Sequence, residues 1–199
     1  MRAAEPAPVR STNVRRSIVT MLTALVGLST PLAGQGNALT AGLAYTVGGG
    51  WQVEGLDFGV ARAVHAGPIA ALSLTARIGS FIDEGAIIGG ARGFIFGTSL
   101  AARTPTATIA QLGADTSRGQ IGLDFTVETT GYVGSHSPLA VGSPWGAATG
   151  LVGLRFGDPN GSRLGLLIGP TVFMGTVTEV RAFLGVRFEA PLARREGHP

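Results

Sequence analysis

The sequence predicts an all-β chain: an antiparallel, up-and-down transmembrane β-barrel of eight strands, with ten as the rival count. Three observations predict it. Stretches of mostly 11 to 14 residues alternate apolar and polar side chains, whereas a globular strand has about five or six residues. Charged residues make up only 14% of the chain and hydrophobic ones 45%, against roughly 25% charged in a typical soluble domain. After residue 38 no stretch carries a convincing capped 3.6-residue period, and strand patterns recur instead.

The first 38 residues read differently. In "VRRSIVTMLTALVGLSTPLAGQGNA", Arg15 and Arg16 precede an apolar run from Ile18 to about Leu28; Pro31 and small residues follow. This three-part layout predicts a secretory signal peptide over 1–37, cleaved between about 34 and 38. The run is short for a spanning helix, which needs about 20 residues. The barrel is then expected over 38–189, with a short tail over 190–199.

The strands follow in order. The first covers 38–48, "ALTAGLAYTVG". The second, 53–65, sets Leu56, Phe58, Val60 and Val64 on one face. After the short link "AGP", the third covers 69–79, with Leu72, Leu74, Ala76 and Ile78 alternating against Ser73, Thr75 and Arg77. The fourth, 86–99, is less regular. The fifth, 119–131, sets Ile121, Leu123, Phe125 and Val127 against Gln120, Gly122, Asp124, Thr126 and Glu128. The sixth covers 145–157, and "DPNG" at 158–161 supplies a tight turn. The seventh covers 162–173. The eighth, 177–189, sets Val180, Ala182, Leu184, Val186 and Phe188 against Arg181, Phe183, Gly185, Arg187 and Glu189. Residues 100–118 read as a long connection, a further strand pair or a short helix.

Charge and cysteine content exclude some classes. There is no Cys, so neither disulfides nor thiolate metal sites exist. The formal charge of +3 comes from the N-terminal segment: residues 1–38 hold four of the 15 Arg and one of the 12 acids, leaving eleven of each. Lys is absent and no Arg run marks a phosphate-binding stripe, so no nucleic-acid partner is expected.

An amphipathic strand can face lipid or a soluble core. A closed sheet satisfies its own backbone hydrogen bonds and can stand in hydrocarbon. The scarcity of charge and the strand length favour lipid. Asp57, Arg77, Asp124, Glu128, Arg181, Arg187 and Glu189 are then expected inside, joined in ion pairs, because unpaired charge in a narrow interior is costly. Gly59, Gly122 and Gly185 share that face and are expected to leave room for the Arg side chains. Tyr45, Trp51, Tyr132 and Trp145 fall near strand ends, where an interfacial aromatic ring belongs. A soluble barrel would instead place Leu123, Phe125, Leu184 and Val186 inside.

The signal-peptide layout, the eight amphipathic strands and the terminal "VRAFLGVRF", ending its apolar series at Phe188, together resemble small bacterial outer-membrane β-barrels, the group of the OmpA transmembrane domain and OmpX. The resemblance covers about 38–189. It implies a monomer in the cell outer membrane of a Gram-negative bacterium, in contact with outer-membrane lipid and lipopolysaccharide. It also implies a last strand that is read by the barrel-assembly machinery. Links near 49–52, 80–85, 132–144 and 174–176 would lie outside the cell; those near 66–68, 100–118 and 158–161 would lie in the periplasm.

No catalytic, cofactor or metal residues are expected. His65 reads as a turn or interfacial residue, and His198 belongs to the tail. His136 has Ser135 and Ser137 beside it but no local acid. The adjacent Asp83 and Glu84 do not make a cation site by themselves. Asp124 and Glu128, four apart on one face, could form a glycosidase-like pair but read better as partners of interior Arg. "VGGG" and "IIGGARG" lack the Lys-Ser/Thr ending of a phosphate loop. The expected function is a non-catalytic structural or interaction barrel. The alternatives are a narrow transport channel, a lipid-modifying enzyme, or a secreted soluble barrel binding an apolar ligand.

Overall fold

The computed structural model describes residues 36–48, 51–83, 91–111, 119–134, 144–175 and 177–192. The expected signal peptide, and the tail beyond Leu192, lie outside these residues. The strands are β1 (Asn37–Val47), β2 (Trp51–Ala66), β3 (Ile69–Asp83), β4 (Ala91–Arg103), β5 (Ala107–Gln111), β6 (Gln120–Gly134), β7 (Trp145–Gly157), β8 (Arg163–Met174) and β9 (Thr178–Pro191). Each pairs antiparallel with its neighbours. The pairings β1–β9 and β4–β6 close the sheet into a barrel of eight long strands.

β5 is not a ninth stave. β4 pairs with β6 as far as Arg103↔Thr126, and β5 resumes along the same edge of β6 at Ala107↔Leu123. Across the break at 104–106, the Thr104 amide donates to the Phe125 carbonyl and the Phe125 amide donates to Thr104 Oγ1. Residues 100–111 therefore extend the fourth stave, and the eight-strand count holds over ten. The expected fourth strand at 86–99 corresponds to β4, displaced to 91–103. The sixth, 145–157, matches β7 at both ends. The last strand runs past Phe188 to Pro191, so part of the expected tail belongs to the sheet.

The register fixes the tilt. Asn37 pairs with Arg62, Arg62 with Leu72, Leu72 with Ala102, Ala102 with Val127, and Val127 with Gly150. The β7–β8 register, constant from Thr149↔Thr171 to Val152↔Ile168, carries Gly150 to Pro170; Pro170 pairs with Ala182, and Ala182 with Val47. One circuit thus starts at Asn37 and returns to β1 at Val47, a stagger of ten residues. With eight strands this stagger tilts each strand by about 40°, so each residue rises about 2.5 Å along the axis. Near Pro170, which has no amide to give the ladder, β7 and β8 close in on each other: a Cβ on Gly169 would lie 1.9 Å from the Gly150 carbonyl oxygen.

Inside and outside alternate as expected. In β6, Asp124, Thr126, Glu128, Thr130 and Tyr132 are buried, while Leu123, Phe125, Val127 and Val133 are exposed. In β9, Arg181, Phe183, Arg187 and Glu189 are buried and Val180, Leu184, Val186 and Phe188 exposed. All seven charged residues expected inside are buried. The reading that puts Leu123, Phe125, Leu184 and Val186 in an apolar interior is overturned, since all four lie on the outer face. Among the strand residues whose side chains are described, the charges on that face are Glu54, toward one end of β2, and Arg62, toward the other.

Candidate functional site

The barrel has two ends. At one, here called the closed end, β1, β3, β6 and β8 finish and β2, β4, β7 and β9 start. At the other, the open end, β2, β5 and β7 finish and β3, β6 and β8 start, and Asn37 and Pro191 begin and end the sheet there. Three layers of side chains fill the interior between them.

The layer nearest the closed end is aromatic. Tyr132 stacks on Trp145 with ring centroids 4.1 Å apart, and Phe173 meets Trp145 at 5.2 Å and Tyr132 at 6.2 Å. Val53, Ile95 and Ala147 complete the cluster. This corrects the expectation of interfacial rings: Tyr132 and Trp145 point inward, where they bury large apolar surface. Tyr45 keeps to the outer face, and its hydroxyl donates to Gln52 Oε1. The side chain of Trp51 lies outside the described residues. At the same level Arg181 pairs with Glu179.

The middle layer is a four-charge network. Arg77 grips Asp57 as a fork, with Nε to Oδ1 at 2.7 Å and Nη2 to Oδ2 at 2.8 Å. Its Nη2 also reaches Glu128 Oε1 at 3.2 Å, and its Nη1 donates to the Tyr132 hydroxyl. Arg187 Nη2 donates to Glu128 Oε2 at 3.0 Å and reaches Asp57 Oδ2 at 3.4 Å. Two guanidinium groups thus balance two carboxylates, and hydrogen bonds offset their removal from water. Strand pairing builds the core of it, because Asp57 and Arg77 are directly opposite across β2–β3.

A second network lies toward the open end. Arg155 Nε donates to Asp124 Oδ2 at 2.8 Å and Arg155 Nη1 to Glu189 Oε1 at 3.1 Å. Arg103 Nη1 also donates to Glu189, and Arg103 Nε stands 3.8 Å from Asp124. Arg103 and Arg155 were missed as interior residues. Arg155 shares parity with Thr149 and Gly153 in a strand whose ends were read correctly, and that was the signal available.

Glycine makes the room, at positions other than those expected. A Cβ on Gly55 would lie 2.6 Å from Arg77 Cγ, and one on Gly165 would lie 2.5 Å from Arg155 Nη1. Of the three expected glycines, Gly122 faces Thr106, Gly59 faces Thr75 and Gly185 faces the Phe183 ring. Gly55→Ala should therefore destabilise the barrel by about 1–3 kcal/mol through overpacking, since the fork on Asp57 stops Arg77 from moving aside. Urea unfolding of the refolded protein measures this; wild-type stability would mean that Arg77 can shift.

Asp124 and Glu128 thus belong to separate networks, each carboxylate held by Arg, as the ion-pair reading expects. Among the described residues, no group of three or more His, Cys, Asp or Glu side chains could hold a metal ion. His136 with its two serines, Glu84, His198 and the side chains of His65 and Asp83 lie outside the described residues. Beyond the second network the open end holds a cavity of about 600 Å³, bordered by Arg103, Arg155, Arg163 and Glu189.

No protein-family model matches the chain, and no curated protein matches it in sequence.

Proposed function

We propose that this chain is an outer-membrane β-barrel with a structural or interaction role and no catalytic one. The observation that carries this reading is the inversion of the usual soluble pattern. Outward strand positions between Glu54 and Arg62 are uncharged and, apart from Thr98 and Thr129, apolar, while Asp57, Arg77, Asp124, Glu128, Arg155, Arg187 and Glu189 are buried. Water would penalise that outer face and hydrocarbon would not. The eight staves have strands of 11 to 16 residues, which meet or exceed the roughly 9–11 that a tilted crossing needs.

Outer-membrane lipid and lipopolysaccharide are the proposed surroundings, and the monomer is the proposed state. The β9 series Val180–Phe188 is the proposed signal to the assembly machinery. The open end is assigned to the periplasm, where short links belong. The aromatic layer and the two ion-pair layers occupy the interior, which weighs against a diffusion pore.

Fractionation of the producing bacterium followed by a heat-modifiability gel tests the proposal. The expected result is an outer-membrane protein whose mobility differs between unheated and heated samples. Water-extractable protein with one mobility would overturn it.

A further inference from the structure

The second ion-pair network is not balanced. Around Asp124 and Glu189 stand three guanidinium groups: Arg103, Arg155 and Arg163. Arg163 lies directly opposite Glu189 across β8–β9 and within electrostatic range of the other two. The middle layer is neutral, so among the described interior side chains a surplus positive charge collects at the open-end cavity.

The donors are unevenly used. Arg155 spends Nε and Nη2 on Asp124 and Nη1 on Glu189. Its side chain is 3% exposed, and the network holds it in place. Arg103 spends Nη1 on Glu189. Arg163 donates from Nη2 to the Pro159 carbonyl, and no ion pair involves it among the described residues. Glu189 already serves two guanidinium groups. A guanidinium offers five N–H donors; Arg155 makes three hydrogen bonds and Arg103 and Arg163 one each, so most of the donors left over belong to Arg163 and Arg103, both bordering the cavity.

We propose that this cavity binds a small anion through a phosphoryl group, held by Arg163 and Arg103 over a floor set by Arg155. About 600 Å³ falls within the range of small-molecule sites, roughly 300–1,000 Å³. Guanidinium forks suit phosphoryl oxygens, and the surplus charge supplies the attraction. Asp124 and Glu189 are the opposing charges inside the barrel; both are engaged by Arg155, which limits their repulsion of the anion, and Asp158, in the turn at the mouth, accepts from the Asn160 amide. The group could reach the mouth on a soluble phosphate compound or on a phospholipid headgroup.

The experiment is calorimetric titration of the purified full chain, in maltoside micelles at low ionic strength, with inorganic phosphate. Saturable binding with a Kd near or below about 1 mM is expected. Arg163→Gln should weaken it about tenfold or more, the loss of one charge-assisted contact. That variant leaves no carboxylate orphaned, so its unfolding midpoint should match the wild type. No saturable binding by the wild type, or equal binding by Arg163→Gln, overturns the proposal. Repeating the titration in phospholipid nanodiscs separates the two sources. Suppressed phosphate binding there assigns the site to a headgroup, and unchanged binding assigns it to a soluble anion. The site does not rest on the membrane reading, which the fractionation experiment decides by itself.

Discussion

Arg77→Leu should destabilise the barrel by about 3–5 kcal/mol, because it breaks a buried ion-pair network from one side. Arg77 is 2% exposed and binds Asp57 through two hydrogen bonds, Glu128 through one and the Tyr132 hydroxyl through another. Without it, Arg187 is left to serve two carboxylates, one of them at 3.4 Å. Urea unfolding followed by tryptophan fluorescence would read the loss, since Trp145 stacks on the Tyr132 that Arg77 contacts. Adding Asp57→Leu should restore much of the stability: the remaining Arg187–Glu128 pair, at 3.0 Å, is neutral. Arg187→Leu should cost less than Arg77→Leu, for Arg77 still reaches both acids. An Arg77→Leu protein as stable as wild type would mean that the interior is wet enough to hydrate the freed carboxylates.

Leu184→Arg should cost about 2–4 kcal/mol for assembly into lipid if the site lies near the membrane midplane. Leu184 lies midway along β9, between Tyr45 on β1 and Ile168 on β8, and is 41% exposed on the outer face. Its neighbours across both strands offer no carboxylate, so a guanidinium there would face hydrocarbon alone. Glu54→Arg, at the edge of the apolar band, should cost only about 0–1 kcal/mol. Folding yield into lipid vesicles, read by unheated gel mobility, compares the two. Equal yields would remove Leu184 from the lipid face and with it the membrane reading.

The sequence by itself determined the strands and the sidedness of their residues. A period of two needs only local information, so Leu123, Asp124 and Phe125 reveal opposite faces without any knowledge of partners. The same parity placed the seven expected interior charges, and it could have placed two more residues. Tyr132 shares the face of Asp124 and Glu128, and Trp145 shares that of Arg155. Proximity to strand ends points instead to interfacial rings, and for these two residues parity is the better guide. The tertiary structure alone decided three further matters. β4–β6 pairing closed the barrel and turned the uncertain stretch after residue 100 into an extension of the fourth stave. The ten-residue stagger set which charges meet, bringing Arg187 to Glu128 and Arg155 to Glu189 across strands far apart in the chain. It also set which glycines clear space, Gly55 and Gly165. These are properties of register between distant strands: a shift of two residues keeps every side chain on its face yet changes every partner. Alternation therefore gives the face of each residue, and only closure gives its neighbours.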